Sequence, residues 1–390
     1  MDKPTPDKPR KLQQVRDEID SIDREIQGLI NRRARCAQEV ADIKMADAQA
    51  AREAGPSSDD QHGGAGGQRA EPDAVFYRPE REAQVLNRIK ERNDGPLSGD
   101  RVAFIFREIM SACLALERPL QVAYLGPEGT FTQAATIKHF GHAVVSIPQG
   151  TIDSVFNQVE AEDCNYGVVP VENSTEGMVS HTLDNFMDSP LKICGEVEMQ
   201  IHHHLLAGTH TSFGDIQRVC AHQQALAQCR GWLEHYLPDV ELLAVSSNGE
   251  AARLAAVQTG TVAIAGDMAA DQYGLEKLHQ NIEDSAHNTT RFLVIGRDEI
   301  PPSGADKTSI IVSSRNKPGA LFELLEPFRD AGVSLTRIDT RPSKTEKWAY
   351  VFFIEFEGHL QDEPIARIIS GLEEHSILLK PLGSYPKAVL

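Results

Sequence analysis

Cationic side chains interrupt an apolar seam near the N-terminus. Apolar residues recur about every 3.5 residues from Lys11 to Ala46, which predicts one long helix that packs against partner helices. Arg33 stands where the seam calls for an apolar residue, and Lys44 follows about 20° from it around the helix. An unpaired buried charge is costly, so an inward Arg needs an acidic partner or an anionic ligand. We therefore expect Arg33 to meet either an acidic side chain or a small anion.

Further polar groups mark the two helices predicted next, at about 79–92 and 100–117. They are Arg81, Glu82, Cys113 and Glu117. Arg16 lies toward the other end of the long helix, roughly 25 Å from Arg33 at about 1.5 Å per residue. The two cations could therefore serve separate sites or one site shared across a dimer. A solvated charged face is the alternative interpretation for Arg16, Arg81 and Glu82.

Three polar motifs follow or begin strands in the middle of the chain. The first, Gly126–Thr132, joins a strand to a helix, where glycines allow close backbone approach and free N–H groups face an anion. The second, 169–175, reads Val-Pro-Val-Glu-Asn-Ser-Thr after a strand. The third, 288–292, brings two threonines and Arg291 to the start of a strand. Such groups can hold a small polar acid, although an ordinary tight turn also explains the first motif.

These groups must be positioned by three segments of different character. Residues 1–118 predict an all-α domain of three helices, interrupted at 47–74 by a Gly-rich stretch that predicts a flexible insertion. Residues 120–297 alternate strands and helices, which predicts an α/β region of mostly parallel strands in two lobes around a cleft. Residues 306–390 show a βαββαβ pattern, which predicts a ferredoxin-like module.

A histidine triplet, His202 to His204, raises the question of a metal site. It falls inside a predicted strand, 197–207, in which neighbouring side chains point to opposite faces. Three adjacent ligands cannot converge easily there. We therefore expect structural roles for these histidines and no metal.

Composition limits the class of partner. The 390 residues include 39 Lys plus Arg and 57 Asp plus Glu, for a net charge of −18, which excludes a general attraction to nucleic acid or to anionic membranes. No run approaches the roughly 18 apolar residues of a membrane span, and the Pro-rich N-terminal stretch lacks an apolar signal core. The six cysteines are scattered without a CxxC pair, as is typical of reduced thiols. We expect a cytoplasmic protein.

The helical residues resemble the all-helical chorismate mutase family. The positions that carry the resemblance are Arg16, Arg33, Lys44, Arg81, Glu82, Cys113 and Glu117. Members form intertwined dimers whose long helix contributes cations to both sites, and they rearrange chorismate, a dicarboxylate, to prephenate. This pericyclic step needs no general acid or base, so catalysis consists of holding the compact conformer and stabilising charge on the ether oxygen.

The resemblance implies roles for the cations and for Glu117. Arg16 from the partner subunit and Arg33 would bind carboxylates, while Lys44 and Glu117 would flank the ether oxygen. Glu117 must then be protonated to donate a hydrogen bond, since many relatives carry Gln there.

The ends of the second and third helices complete the implied mutase site. Glu82 would hold the ring hydroxyl, and Arg81 lies beside it in the sequence. Cys113 stands where the family usually has Ser, and Arg78 stands where it often has Asp.

The three polar motifs strongly resemble prephenate dehydratase, over essentially all of 120–297. In that family the residue matching Thr290 protonates the departing ring hydroxyl while the ring carboxylate leaves as CO2, which yields phenylpyruvate. The residues that would line the pocket are Thr130, Glu172, Asn173, Ser174, Gln228, Arg291 and Phe292. Residues 221–224 read Ala-His-Gln-Gln where the family more often has Ser-His-Pro-Gln.

The last segment resembles the ACT-type regulatory domain of prephenate dehydratases, in which phenylalanine binds between two subunits. The implied contacts are Asn316, Gly319, Ala320, Leu321, Asp339 and Arg341. Gly319 would let the helix N-terminus approach the amino acid, and Asp339 with Thr340 replaces the commoner Glu-Ser. A pairing module that binds nothing is the alternative.

The whole chain therefore resembles a bifunctional chorismate mutase and prephenate dehydratase with phenylalanine feedback. This implies a homodimer that takes chorismate, prephenate and L-phenylalanine and uses no metal or organic cofactor. The order of the segments agrees, because the first site makes the substrate of the second. Two alternatives stay open: a dehydratase whose degenerate mutase domain serves dimerisation, and a non-catalytic amino-acid sensor.

Overall fold

A computed structural model describes residues 11–54, 77–314, 317–342 and 350–390. The chain divides into two compact units. One contains the described residues up to Tyr77 together with Glu108–Pro119, and the other contains Arg78–Arg107 and the described residues from Leu120 onward. None of the described helices is long and apolar enough to cross a membrane.

Three helices form the N-terminal region, as predicted: α1 (Leu12–Ala54), α2 (Pro79–Glu91) and α3 (Gly99–Glu117). Pro79 occupies the first turn of α2, where its missing N–H costs nothing. The prediction that α1 ends near Ala46 was wrong, because residues 47–54 are rich in good helix formers and continue the helix. The remainder of the predicted insertion, 55–74, lies outside the described residues.

Two sheets build the two lobes of the α/β region. The first has the strand order β2 (Val145–Gln149), β1 (Gln121–Leu125), β3 (Tyr166–Asn173), β11 (Thr289–Gly296), β5 (Lys192–Gln200), with the short β4 (Gly177–Met178) paired to β3. The second has the order β10 (Glu276–His279), β6 (His204–Ala207), β9 (Thr261–Ala265), β7 (Arg218–His222), β8 (Glu241–Val245).

Helices cover these sheets. Those of the first lobe are α4 (Phe131–Phe140), α5 (Ile152–Glu160) and α6 (Ser180–Asp188). Those of the second lobe are α7 (Gln223–Gln228), α8 (Arg230–Tyr236), α9 (Asn248–Val257) and α10 (Asp267–Tyr273). The helices α7 and α8 are separated only by Cys229, since α7 ends at Gln228 and α8 begins at Arg230.

The prediction of mostly parallel strands was wrong, because both sheets are mixed. β1 pairs in parallel with β2 and β3, whereas β11 runs antiparallel to β3 and β5. In the second sheet β7 pairs in parallel with β8 and β9, whereas β6 runs antiparallel to β9 and β10. The antiparallel strands β5, β6, β10 and β11 flank the two places where the chain passes from one lobe to the other.

One of those passages corrects a second prediction. The single strand expected at 197–207 is two strands in different sheets, β5 ending at Gln200 and β6 beginning at His204. His202 and His203 therefore lie on the connection between the lobes and not within a strand. The argument from alternating strand faces does not apply to them.

The C-terminal module has the predicted ferredoxin-like βαββαβ arrangement. Its strands lie in the order β13 (Leu335–Pro342), β14 (Tyr350–Glu357), β12 (Asp306–Ser313), β15 (Leu378–Pro386), with helices α11 (Ala320–Ala331) and α12 (Glu363–His375). This sheet shares a hydrophobic core with the first lobe, in which Phe353 and Tyr385 join Phe156, Phe186 and Leu293. The module is thus packed directly on the lobe that carries β3 and β11.

Candidate active site

Two of the three polar motifs of the α/β region meet where β3 ends and β11 begins. The antiparallel pairing of these strands places Thr290 directly opposite Asn173. The side-chain amide of Asn173 then reaches the Thr290 hydroxyl, with Nδ2 2.8 Å from Oγ1. Two motifs more than a hundred residues apart are joined here because the sheet register fixes them.

A network of amide side chains surrounds this pair. Asn173 Nδ2 also donates to Asn288 Oδ1 at 2.9 Å, and Asn288 Nδ2 donates to Gln228 Oε1 at 3.0 Å. Gln228 Nε2 donates to Thr175 Oγ1 at 3.1 Å, and Thr175 Oγ1 donates back to Asn173 Oδ1 at 2.5 Å. Gln228 is the last residue of α7 in the second lobe, so the network connects the two lobes beside Thr290.

The predicted residues Ser174 and Thr130 hold the backbone around this cluster. Ser174 Oγ accepts from the Thr289 N–H at 2.9 Å, which extends the β3–β11 pairing. Thr130 caps α4 and donates from Oγ1 to the Leu125 carbonyl at 3.1 Å. Neither hydroxyl contacts Thr290 in the hydrogen bonds of the described residues.

The Gly126–Thr132 turn touches the second lobe. A Cβ on Gly249, in the first turn of α9, would lie 2.3 Å from the carbonyl oxygen of Glu128. Gly129 has φ of 79° and is packed against Ala269 of α10. Close approach of the lobes therefore requires glycine on both sides, so the glycine of this turn serves a contact between the lobes.

His203 is buried among these groups, with 2 % of its surface exposed. Its Nε2 lies 2.9 Å from Gln228 Oε1, and its ring stacks edge-on against Phe131 at 5.4 Å between centroids. Burial lowers the pKa of His203, although Gln228 and Glu283 act in the opposite direction. The ring is therefore neutral near pH 7.

The structure does not support Arg291 as an anion-binding group of this site. Its guanidinium is buried, with 6 % exposed, and pairs with Glu196 at 2.9 Å and with Glu355 of β14. Tyr385 Oη lies 3.3 Å from the same guanidinium. Alternation along β11 turns Arg291 away from Thr290 and toward the C-terminal module.

Two further predicted residues, Glu172 and Phe292, also lie outside the hydrogen-bond network around Thr290. Glu172 pairs with Arg337 of β13, so its carboxylate is engaged with the C-terminal module. Phe292 is 1 % exposed and belongs to the packed interior of the lobe. Of the seven predicted dehydratase positions, Asn173 and Gln228 are the two that the hydrogen-bond network joins to Thr290 among the described residues.

The predicted mutase residues fall in both units. In the first unit, burial raises the pKa of Glu117, while the positive charges of Lys44 and Arg33 lower it. Glu117 Oε2 is buried and has no hydrogen-bond partner among the described residues. Arg16 and Arg33 are exposed on α1 in the single chain, and Cys113 is buried on α3.

The other mutase residues lie on α2, in the second unit. Arg78 is the N-cap residue of α2 and is exposed, as is Arg81. Glu82 is half-buried, and its Oε1 accepts a hydrogen bond from Arg107 Nε at 3.0 Å. One oxygen of the carboxylate expected to hold a ring hydroxyl is therefore already occupied.

The predicted regulatory residues lie on α11 and β13. Gly319 caps α11 with φ of 85°, where a Cβ would be strained, and Ala320 and Leu321 form the first turn. Asp339 and Arg341 lie on β13 with Arg341 Nε 3.7 Å from Asp339 Oδ2. Asn316 lies outside the described residues.

Comparison with known proteins decides the family. Family models match residues 15–118 (chorismate mutase type II), 122–300 (prephenate dehydratase) and 308–374 (ACT domain). The bifunctional chorismate mutase/prephenate dehydratases of Stutzerimonas stutzeri and Pseudomonas aeruginosa are 56 % and 55 % identical, each over 97 % of this chain and 98 % of their own. The chain belongs to the bifunctional chorismate mutase/prephenate dehydratase family.

A solved structure supports the fold of the α/β region and of the C-terminal module. The prephenate dehydratase of Arthrobacter aurescens in complex with L-Phe is 34 % identical, with a TM-score of 0.64, covering 68 % of this chain and 90 % of its own. Both activities follow for this enzyme from its family, so neither alternative, the degenerate mutase nor the non-catalytic sensor, is supported.

Sequence reasoning missed three members of the network in this enzyme. Asn288 and Thr175 stand inside the polar motifs but were not assigned to the site. His203 was assigned a structural role because it was placed in a strand. The run of three histidines between Ile201 and Leu205 was the available indication, since a buried polar side chain needs a polar neighbour.

Proposed function

We propose that Thr290 is the proton donor of prephenate dehydration in this enzyme. The single observation that supports it is the hydrogen bond from Asn173 to Thr290 Oγ1, where β3 ends and β11 begins. A hydroxyl that already accepts a bond keeps its own proton available for a leaving group.

The proposed step removes the ring carboxylate and the ring hydroxyl together. The bond between the ring and its carboxylate breaks, CO2 leaves, and that electron pair enters the ring. The ring C–O bond breaks with its pair on oxygen, which takes the Thr290 proton and leaves as water. Thr290 then recovers a proton from solvent, and the aromatic product is phenylpyruvate.

For the mutase site we propose that Arg16, Arg33, Lys44 and Glu117 bind chorismate, with Arg78, Arg81, Glu82 and Cys113 completing the pocket. The raised pKa of Glu117 supports its role as a neutral donor toward the ether oxygen. Lys44 would stabilise the negative charge that develops on the same oxygen.

A homodimer is part of the proposal. The apolar row of α1 is open in the single chain, with exposed fractions between 37 and 67 %, and consists of Leu12, Val15, Ile19, Ile22, Ile26 and Leu29. Such a row needs a partner helix. A second α1 would cover it and bring Arg16 to the partner's site.

L-phenylalanine is the proposed regulator, held by Gly319, Ala320, Leu321, Asp339 and Arg341, with Asn316 as a further predicted contact. The related dehydratase solved with L-Phe supports this assignment. The cytoplasmic location stays a prediction.

Replacement of Thr290 by Val tests the dehydratase assignment. The dehydratase kcat should fall about 10²- to 10⁴-fold, the usual contribution of a positioned acid. Chorismate consumption by the same protein reports that the variant is folded, and Thr289→Val, at the neighbouring residue, is the matched control. A Thr290→Val enzyme that forms phenylpyruvate at the parent rate contradicts the assignment.

A further inference from the structure

We propose that His203, as the neutral tautomer with its proton on Nε2, is a positioning residue for dehydration that orients Gln228 and thereby fixes Thr290 as a proton donor. This inference rests on the proposed role of Thr290. It concerns a residue that touches neither Thr290 nor its partner Asn173, and that acts through a closed set of hydrogen bonds.

The set consists of the side chains of Asn173, Asn288, Gln228 and Thr175, called here the amide circuit. Each member donates to the next and accepts from the one before: Asn173 to Asn288, Asn288 to Gln228, Gln228 to Thr175, and Thr175 back to Asn173. In a closed circuit of this kind, exchanging the oxygen and nitrogen of one amide forces every other member to exchange its donor and acceptor roles. The direction is therefore a property of the whole circuit.

Backbone groups decide which direction is adopted. The N–H of Thr175 donates to Asn173 Oδ1 at 3.0 Å, and the N–H of Glu176 donates to the same oxygen at 3.3 Å. Backbone N–H groups can only donate, so this atom of Asn173 must be the oxygen. Its amide nitrogen then faces both Asn288 and Thr290, and Thr290 must accept.

The same logic fixes the tautomer of His203. Asn173 Nδ2 requires the oxygen of Asn288, so Asn288 presents its nitrogen to Gln228, and Gln228 presents Oε1 in return. That oxygen also lies 2.9 Å from His203 Nε2, so Nε2 must carry the proton. His203 Nδ1 is then unprotonated, and it is buried with no hydrogen-bond partner among the described residues.

The contact with His203 therefore has a specific use. Asn288 and His203 both donate to Gln228 Oε1, and two converging donors hold this oxygen more firmly than Asn288 alone. The edge-on contact with Phe131, which follows the Gly126–Thr130 turn, limits rotation of the histidine ring itself. Loss of the Nε2 donor is expected to loosen the circuit and to misdirect the Thr290 hydroxyl.

Three variants of the full-length enzyme test this role. His203→Leu removes the donor, His203→Gln restores a donor near the position of Nε2, and His204→Asn is the control at a buried neighbour outside the circuit. For His203→Leu we expect the dehydratase kcat to fall about 10- to 100-fold with little change in KM, as for a small misplacement of a catalytic group. The Gln variant should recover most of this loss, and the control should resemble the parent.

The mutase rate of each variant reports on folding, because it comes from the same chain. Parent dehydratase activity in a folded His203→Leu variant overturns the proposal. A folded His203→Gln variant whose dehydratase kcat is no higher than that of His203→Leu also overturns the proposal. In that case ring packing matters and the Nε2 donor does not.

Nitrogen NMR of the parent enzyme gives an answer that does not depend on folding of a variant. With ¹⁵N-labelled histidine, the signals absent from His203→Gln belong to His203, and their shifts distinguish the two neutral tautomers. Protonation at Nε2 is expected, and protonation at Nδ1 overturns the proposal. If Thr290→Val keeps the parent activity, the proposed function fails instead, whatever tautomer His203 adopts.

Discussion

Replacement of Glu355 by Gln is expected to destabilise the contact between the C-terminal module and the first lobe. Glu355 lies on β14 of the module, whereas its partner Arg291 lies on β11, one residue after Thr290. Thr336 also donates to Glu355 Oε1 at 2.6 Å, and Lys307 lies 3.5 Å from the same oxygen. Removing the charge therefore breaks several contacts in a buried cluster at once.

The magnitude follows from the pKa of the Glu355 carboxyl. Burial raises this pKa, but Arg291, the Thr336 hydroxyl and Lys307 lower it further, from an ordinary 4.5 to about 2. At about 1.4 kcal/mol per pKa unit, the folded state gains about 3 kcal/mol from the ionised form. Because the pKa is lowered on folding, this stability is present above about pH 4.5 and is lost as the pH falls toward 2.

Hydrogen exchange of the β14 amides, measured by mass spectrometry, is the assay. At pH 7 these amides should exchange about a hundredfold faster in Glu355→Gln, and the difference in free energy should shrink to about 2 kcal/mol at pH 3.5. Glu357→Gln is the matched control, because Glu357 lies on the same strand but its pair with Lys387 is exposed. Equal protection in Glu355→Gln and parent at pH 7, or a difference that grows on acidification, would refute the reasoning.

Three further predictions concern the other sites. Because burial raises the pKa of Glu117, mutase activity should decline as the pH rises through that pKa, and Glu117→Gln should flatten the pH–rate profile. An unchanged profile in the variant excludes Glu117 as the titrating group. Arg337 of the C-terminal module pairs with Glu172 of the first lobe, so Arg337→Met should raise the phenylalanine concentration needed for half inhibition. An inhibition curve identical to that of the parent contradicts a role of this ion pair in inhibition. Ile22 lies in the exposed row of α1, so Ile22→Glu should halve the mass measured by analytical ultracentrifugation, and a retained dimer would show that another surface holds the subunits together.

Sequence patterns predicted elements well where local chemistry decides them. The helices predicted at about 79–92 and 100–117 are observed at Pro79–Glu91 and Gly99–Glu117. Each of these elements is specified by its own residues, through a Pro in the first turn or an amphipathic repeat. The three domains and their fold classes followed from the order of such elements.

Errors arose where the outcome depends on distant parts of the chain. The stretch 197–207 was predicted to form one strand, yet it is divided because the chain changes sheets after Gln200. Arg291 looked like a substrate ligand because it follows Thr290, yet its partners Glu196 and Glu355 are far away in the sequence. Neither fact can be obtained from local composition, since both depend on which strands become neighbours.

The register of β3 and β11 explains why residues of the proposed dehydratase site alternate with residues that contact the C-terminal module. Asn173 pairs with Thr290, and Glu172 pairs with Arg291, so two adjacent rungs of one ladder serve different purposes. Because successive side chains in a strand point to opposite faces, the first rung faces the amide circuit and the second faces the C-terminal module. Glu172 there meets Arg337, and Arg291 meets Glu355. A shift of the module against the lobe therefore acts on the same backbone that holds the Thr290 hydroxyl, which is a short physical route from the C-terminal module to the proposed proton donor.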